Sequence, residues 1–247
     1  MTQPSIFKYE KLKLFYKQLQ ERKEVLTFNE YDGRNCFLIR HDIDYNLDKA
    51  LEMAQLENEM GIKSTFFILL SSDNYNPFTY ENQRIIKTIK QLGHEIGLHF
   101  DPSKFGNDFT QEFENQISLL AKISNEKIYS VSIHNPSIHG NYPEFSGYNN
   151  AYSKRFFKPE NYLSDARFNF RNKEPFRFIE TADDFVTQIS LHPIHYSIEG
   201  DTNYLPVLKR IYRQNLLEFK NEFSKNTKAA EELCSTNFID DILKLIK

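Results

Sequence analysis

Tryptophan is absent from this 247-residue chain, methionine occurs three times and cysteine only twice. The two cysteines, Cys36 and Cys234, lie far apart without zinc-binding or redox spacing, which excludes a disulfide framework and leaves reduced thiols as the expectation. Long apolar runs are also lacking. The longest, at residues 66–70, falls far short of the roughly 20 residues needed to cross a bilayer. At the N-terminus, residues 1–5 run into the charged segment Lys8-Tyr9-Glu10-Lys11 with no apolar stretch of signal-peptide length, so a soluble, cytoplasmic protein is expected. Neither sign of charge dominates. A net charge of -3 and a pI near 6.2 remove the basic footprint of a nucleic-acid binder. No repeat or low-complexity tract is present, and nothing in the pattern sets an oligomeric state.

What is present is a core. Forty per cent hydrophobic residues, with 22 Phe and 14 Tyr, support one domain over 1–247, with a core at about 36–200, an N-terminal helical extension at 1–35 and a C-terminal helical segment at 201–247. Leu12, Phe15, Tyr16 and Leu19 recur at helical spacing within 7–22. A strand at 37–40 is followed by a helix over 47–60, with Gly61 as its stop, and then by a buried strand at 64–70. The alternation repeats: helix 80–92, strand 95–100, helix 110–123, strand 128–133. Residues 135–159 are irregular and rich in Asn, Gly, Pro, Ser and Tyr, which reads as a functional loop. Short strands return at 161–163 and 187–191, and 205–223 reads as a helix. Such βα alternation specifies an α/β fold on a parallel sheet, open or closed as a barrel, with functional groups at the carboxyl ends of the strands.

The polar residues of interest sit at those ends. Asp42 and Asp44 follow the first strand, His99 and Asp101 the third, His134 the fourth and His192 a late one. Two acids two positions apart project to the same side of an extended chain, where they must repel, share protons or bind a metal. Oxygen and nitrogen donors from several strand ends suit a divalent ion such as zinc, cobalt or manganese, and hence metal-assisted hydrolysis. Each residue also has an ordinary reading. The aspartates would serve as helix caps before Leu47, His99 as a satisfied core histidine, and His134 and His192 as turn residues before Pro136 and Pro193. Tyr142, Tyr148, Tyr152 and Tyr162 would stack on sugar rings or anchor the loop. His94 and Glu95 read as structural, and Gly97 as a site of close backbone packing.

Five ordered segments carry a resemblance: Ile39-Arg40-His41-Asp42-Ile43-Asp44; Gly61-Ile62-Lys63-Ser64-Thr65-Phe66-Phe67; Gly93-His94-Glu95-Ile96-Gly97-Leu98-His99; Tyr162-Leu163-Ser164-Asp165-Ala166-Arg167; and Ile189-Ser190-Leu191-His192-Pro193. Over roughly residues 37–195 the chain resembles the metal-dependent polysaccharide deacetylases of the NodB-like superfamily, carbohydrate esterase family four. The resemblance implies a distorted (β/α) barrel of fewer than eight parallel strands and hydrolysis of an N-acetyl group on a sugar. It implies Asp42 as general base, Asp44 and His99 as metal ligands, His192 as the general acid that protonates the departing amine, and Asp165 as a supporting residue. The implied cofactor is a divalent ion, zinc foremost, with cobalt, nickel or manganese as substitutes.

The chain departs from the family twice. The family usually supplies a second histidine four residues after the first, where Ser103 stands here. It often has an arginine where this chain has His134. His134 is therefore expected to complete the ligand set with Asp44 and His99, Asp101 being the competing third ligand and His139 and His195 weaker ones. Arg40 and Arg167 are candidates to orient Asp42, or ordinary salt-bridge partners. The leading expectation is a deacetylase acting on a glycan precursor or small N-acetylated sugar. A carbohydrate-binding pseudoenzyme and a metal hydrolase of a non-sugar amide are the competing ones.

Overall fold

The structure, a computed structural model, describes residues 6–106, 108–140, 142–182, 186–226, 228, 230, 231, 237, 241, 242 and 244; Cys234 and the side chain of His139 lie outside the described residues. It forms two compact units, 1–200 and 201–247.

The first unit opens with helix α1, Tyr9–Arg22, which buries Leu12, Phe15, Tyr16 and Leu19, the residues its periodicity singles out. Strand β1, Val25–Leu26, leads to β2, Phe37–Ile43. There follow α2, Leu47–Glu59; β3, Thr65–Leu69; α3, Tyr80–Gln91; β4, Glu95–Phe100; α4, Thr110–Ser124; and β5, Ser130–Ile133. The irregular stretch contains a short helix α5, Pro136–His139, and a two-residue strand β6, Asn149–Asn150. Strand β7, Tyr162–Ser164, helix α6, Pro175–Glu180, and strand β8, Thr187–Leu191, complete the unit. The sequence pattern did not mark β1, β6 or α6, each too short for a periodic signal.

All strand pairings are parallel. Seven strands form one path, β6-β5-β4-β3-β2-β8-β7, with β1 pairing beside β2 as a short eighth. The path follows chain order around a barrel, and among the described residues no pairing closes it between β6 and β7. This is the distorted (β/α) barrel of the sequence expectation, its continuous wall shorter than eight strands.

Alternation along the strands sorts the side chains into two layers. Phe37, Ile39 and Ile43 of β2 join the large apolar cluster with Ala50, Met53 and Ala54 of α2. Leu38 belongs instead to a separate cluster with Phe28, Phe67, Ala151 and Phe156, a plug on the opposite face. Arg40, Asp42 and Asp44 continue along that second face into a cleft. Strand β2 runs further than its apolar run suggests. Asp42 pairs in register with Phe67 and Ile43 with Ile68, so ladder hydrogen bonds carry the strand through the polar residues. Gly97 faces the plug as well. A Cβ there would lie 2.6 Å from ring atoms of Phe67 and 3.0 Å from the Ser130 carbonyl oxygen, which is why the position is glycine.

The helix-facing layer holds one polar knot. Glu57, buried on the apolar face of α2, accepts hydrogen bonds from Tyr16 Oη at 2.5 Å and Ser64 Oγ at 2.5 Å and pairs with His41 Nε2 at 2.7 Å. His94 stands beside it, 3.2 Å from Ser64 Oγ, with its other nitrogen on the Ala54 carbonyl at 3.0 Å. Burial would raise the Glu57 pKa, but His41, His94 and the Ser64 hydrogen bond together outweigh it and the carboxyl is held below its usual range.

The second unit contains α7, Tyr204–Phe223, whose N-cap Asn203 accepts from Leu205 N at 3.2 Å. No helix among the described residues is long and apolar enough to cross a membrane.

Candidate metal centre

The cleft at the carboxyl ends of the strands is lined by residues including Arg40, Asp42, Asp44, His99, His134 and His192, and encloses about 70 Å³. Asp44 stands one residue beyond β2, and His99 is the penultimate residue of β4. His134 follows β5, fixed by its backbone N–H to the Phe100 carbonyl at 2.8 Å. His192 follows β8 and opens a 3-10 turn, Pro193–His195.

Three of these bring donor atoms to one point. Asp44 Oδ1 lies 3.3 Å from His99 Nε2 and 3.2 Å from His134 Nδ1, and the two nitrogens are 3.1 Å apart. Ligands held about 2.0–2.1 Å from a tetrahedral zinc ion stand about 3.3 Å from one another. The triad therefore has the spacing and the mixed oxygen and nitrogen chemistry of a metal site. His99 Nδ1 lies 3.2 Å from the Ser132 carbonyl, which fixes its proton there and leaves Nε2 as a lone pair toward the triad. His134 Nε2 contacts the Asn135 side-chain amide at 2.7 Å, and a half-turn of that amide presents its oxygen to an Nε2 proton and frees Nδ1.

The charges agree with this grouping. Burial would raise the Asp44 carboxyl, yet hydrogen bonds with His134 and His99 and the nearby histidine charges hold it well below the usual range. His134 is correspondingly raised, Asp44 with Asp101 and Asp42 behind it outweighing the effect of burial.

A second cluster, Asp165 with His192 and His195, has a different character. Asp165 is fully buried, and its Oδ1 lies 2.6 Å from His192 Nδ1 while its Oδ2 lies 3.1 Å from His195 Nδ1. A gap of 2.6 Å is a charge-assisted hydrogen bond, too short for two ligands of one ion. The backbone N–H of His192 also donates to both carboxylate oxygens, at 3.2 and 3.0 Å. Burial would lower the His192 pKa, but Asp165, with Asp44 and Asp42 behind it, pushes it up to about 10. His192 is thus held charged, with Nε2 turned toward the triad, 3.9 Å from Asp44 Oδ2.

Asp101, the competing third ligand, is not one of this grouping. Its Oδ1 accepts from Ser103 N at 3.1 Å and Ser103 Oγ at 2.5 Å, capping a 3-10 turn. Asp42 keeps one oxygen on Arg40, at 3.2 Å, while Oδ1 has no hydrogen-bond partner among the described residues. Arg167 is exposed. Of the four tyrosines, Tyr152 and Tyr162 bond Arg40 at 2.7 and 3.4 Å, and Tyr148 packs edge-on against Phe113. Tyr142 alone is half-exposed.

No family model and no curated protein matches the chain. Solved structures do. The chain is similar to BA3943, a CE4 family pseudoenzyme from Bacillus anthracis, at 11% identity over 74% of this chain and 63% of that one, TM-score 0.45. It is similar to a mutant of BA3943 with restored enzymatic activity, at 11% identity over 75% and 65%, TM-score 0.47. It is also similar to the peptidoglycan deacetylase PdaC from Bacillus subtilis, at 17% identity over 82% and 97%, TM-score 0.42. The chain spans under two thirds of the length of the BA3943 structures. At such identities and TM-scores, the functional reading rests on the residues of the site itself.

Proposed function

We propose that the chain is a metal-dependent hydrolase that removes the N-acetyl group from a sugar or glycan precursor. The convergence of Asp44 Oδ1, His99 Nε2 and His134 Nδ1 within 3.1–3.3 Å of one another carries the reading. These three residues would hold a divalent ion, zinc foremost. When bound, such an ion supplies Lewis acidity, lowering the pKa of water toward about 7 and polarising an amide carbonyl.

Asp42 is the general base. Its unpartnered Oδ1 accepts a proton from the attacking water. His192 is the general acid, because an amide anion is too poor a leaving group to depart unprotonated. Asp165 holds its ring through Nδ1 and keeps it charged, leaving Nε2 to deliver the proton. A cleft of about 70 Å³ has room for a few water-sized groups. It admits an acetamido end while the sugar ring stays at the mouth, where the half-exposed Tyr142, its ring 5.8 Å from that of the cleft-lining Tyr152, would meet it.

Acetate release from a panel of N-acetyl sugars and N-acetylated peptides by zinc-loaded protein tests the proposal. Release from sugars that is lost in Asp42→Asn is the expected result. Metal-loaded protein that binds the sugars and releases no acetate overturns it in favour of a carbohydrate-binding pseudoenzyme, and release from peptides alone in favour of a non-sugar amidohydrolase.

A further inference from the structure

We infer that Arg40 withholds Asp42 from the metal, so that of two acids at one strand end only Asp44 ligates. The inference rests on the metal-centre reading above and concerns a selection the donor triad by itself does not explain. Asp42 near the end of β2 and Asp44 one residue beyond it are two apart on an extended chain and share its face, and either carboxylate is a suitable ligand for zinc or cobalt.

Arg40 lies two residues earlier on that face, so an ion pair runs along a single strand. Its Nη2 is 3.2 Å from Asp42 Oδ2, with the two side chains 1% and 5% exposed. Two tyrosines hold the guanidinium as well. Nη2 also donates to Tyr152 Oη at 2.7 Å and Tyr162 Oη at 3.4 Å, and the group sits 4.6 Å from the centre of the Tyr152 ring. Nε and Nη1 have no hydrogen-bond partner among the described residues. Asp42 is therefore the neighbouring acid that compensates a buried charge. Moving its carboxylate onto a metal would strand that charge, which costs far more than breaking an exposed pair. Asp44 carries no such obligation, since its carboxylate faces imidazoles. The sequence leaves Arg40 and Arg167 equally placed to meet Asp42, and the fold assigns the contact to Arg40.

Cobalt(II) reports this without reference to turnover, because its visible bands weaken as coordination number rises. Wild type and the variants are loaded with cobalt, and spectra and chelator-competition affinities compared. In Arg40→Gln the freed Asp42 enters the coordination sphere, the bands weaken and affinity rises about tenfold through the added ligand charge. Arg40→Gln/Asp42→Asn returns to the wild-type spectrum, and Arg40→Lys keeps it. Asp42→Asn alone, which retains the arginine, also leaves the spectrum unchanged and serves if Arg40→Gln does not fold. An unaltered spectrum in folded Arg40→Gln, a change that persists in the double variant, or a changed spectrum in Asp42→Asn overturns the inference while the metal centre stands. Wild-type protein that takes up no cobalt overturns both.

Discussion

His134 Nδ1 stands 3.1 Å from His99 Nε2 although 35 positions separate the two residues in the chain. Two imidazole nitrogens and the Asp44 Oδ1 oxygen cannot all point lone pairs at one spot without a hydrogen or a metal ion among them. Without metal the Asp44 carboxylate favours a proton on His134, whose pKa it raises. Metal must displace the proton. Zinc affinity is therefore expected to rise with pH through and above the ordinary histidine value of 6.5, by up to about tenfold per unit while His134 stays protonated. Calorimetric titration in buffers of different ionisation enthalpy measures the protons released, and an affinity flat between pH 6 and 8 would count against the coupling.

The His192–Asp165 pair has its own pH signature. His192 is raised from 6.5 to about 10, so its contribution to stability is fully present below about 6.5 and is lost as pH rises toward about 10. Asp165 is depressed below its ordinary 3.8, so its contribution is present above that value and lost as pH falls through the lower folded one. In chelator-treated protein, the stability lost in Asp165→Asn is expected to be greatest between about pH 4 and 6.5 and to shrink steadily up to about pH 10. Urea denaturation across that range checks the shape.

Glu57 offers a test away from the cleft. It is fully buried and gathers Tyr16, His41 and Ser64. Glu57→Leu removes the acceptor and leaves those groups unpaired, so a loss of about 3–5 kcal/mol in unfolding free energy is expected. A change under 1 kcal/mol would mean the knot contributes little.

Much of this was legible in the sequence. The helices over 9–22 and 80–91 follow their hydrophobic periods closely, because each buries one regular face, and the strands at 95–100 and 187–191 are buried along nearly their whole length, whereas the helix over 204–223 forms with only Val207 buried. The polar strand ends were legible for the same reason: a strand that stops being apolar while still extended advertises a site. Strand β2 shows where this fails, since its ladder continues through Asp42 on hydrogen bonds that carry no hydrophobic signal. The outer knot was also missed, although Glu57, set among Met53, Ala54 and Leu56, was a signal that a buried acid required partners. The sequence favours His134 over Asp101 beside Asp44 but gives no reason for Asp101 to be spent elsewhere, because the turn at 101–104 that engages Asp101 with Ser103 is a local geometry with no periodic trace.

Gly97 tests the packing beneath the site. Gly97→Ala places a methyl 2.6 Å from the Phe67 ring, inside a close-packed plug. Overpacking of this kind is expected to lower unfolding stability by about 1–3 kcal/mol, read from thermal or urea denaturation. An unchanged midpoint would show that Phe67 has room to move.

The zinc content of purified, zinc-loaded protein, compared among wild type, His134→Ala and Asp101→Ala, bears most directly on the central claim. One ion per chain in wild type and Asp101→Ala, and none retained by His134→Ala after dialysis, is the expected result. No zinc in wild type, or equal zinc in wild type and His134→Ala, would contradict the assignment of Asp44, His99 and His134 as the metal site.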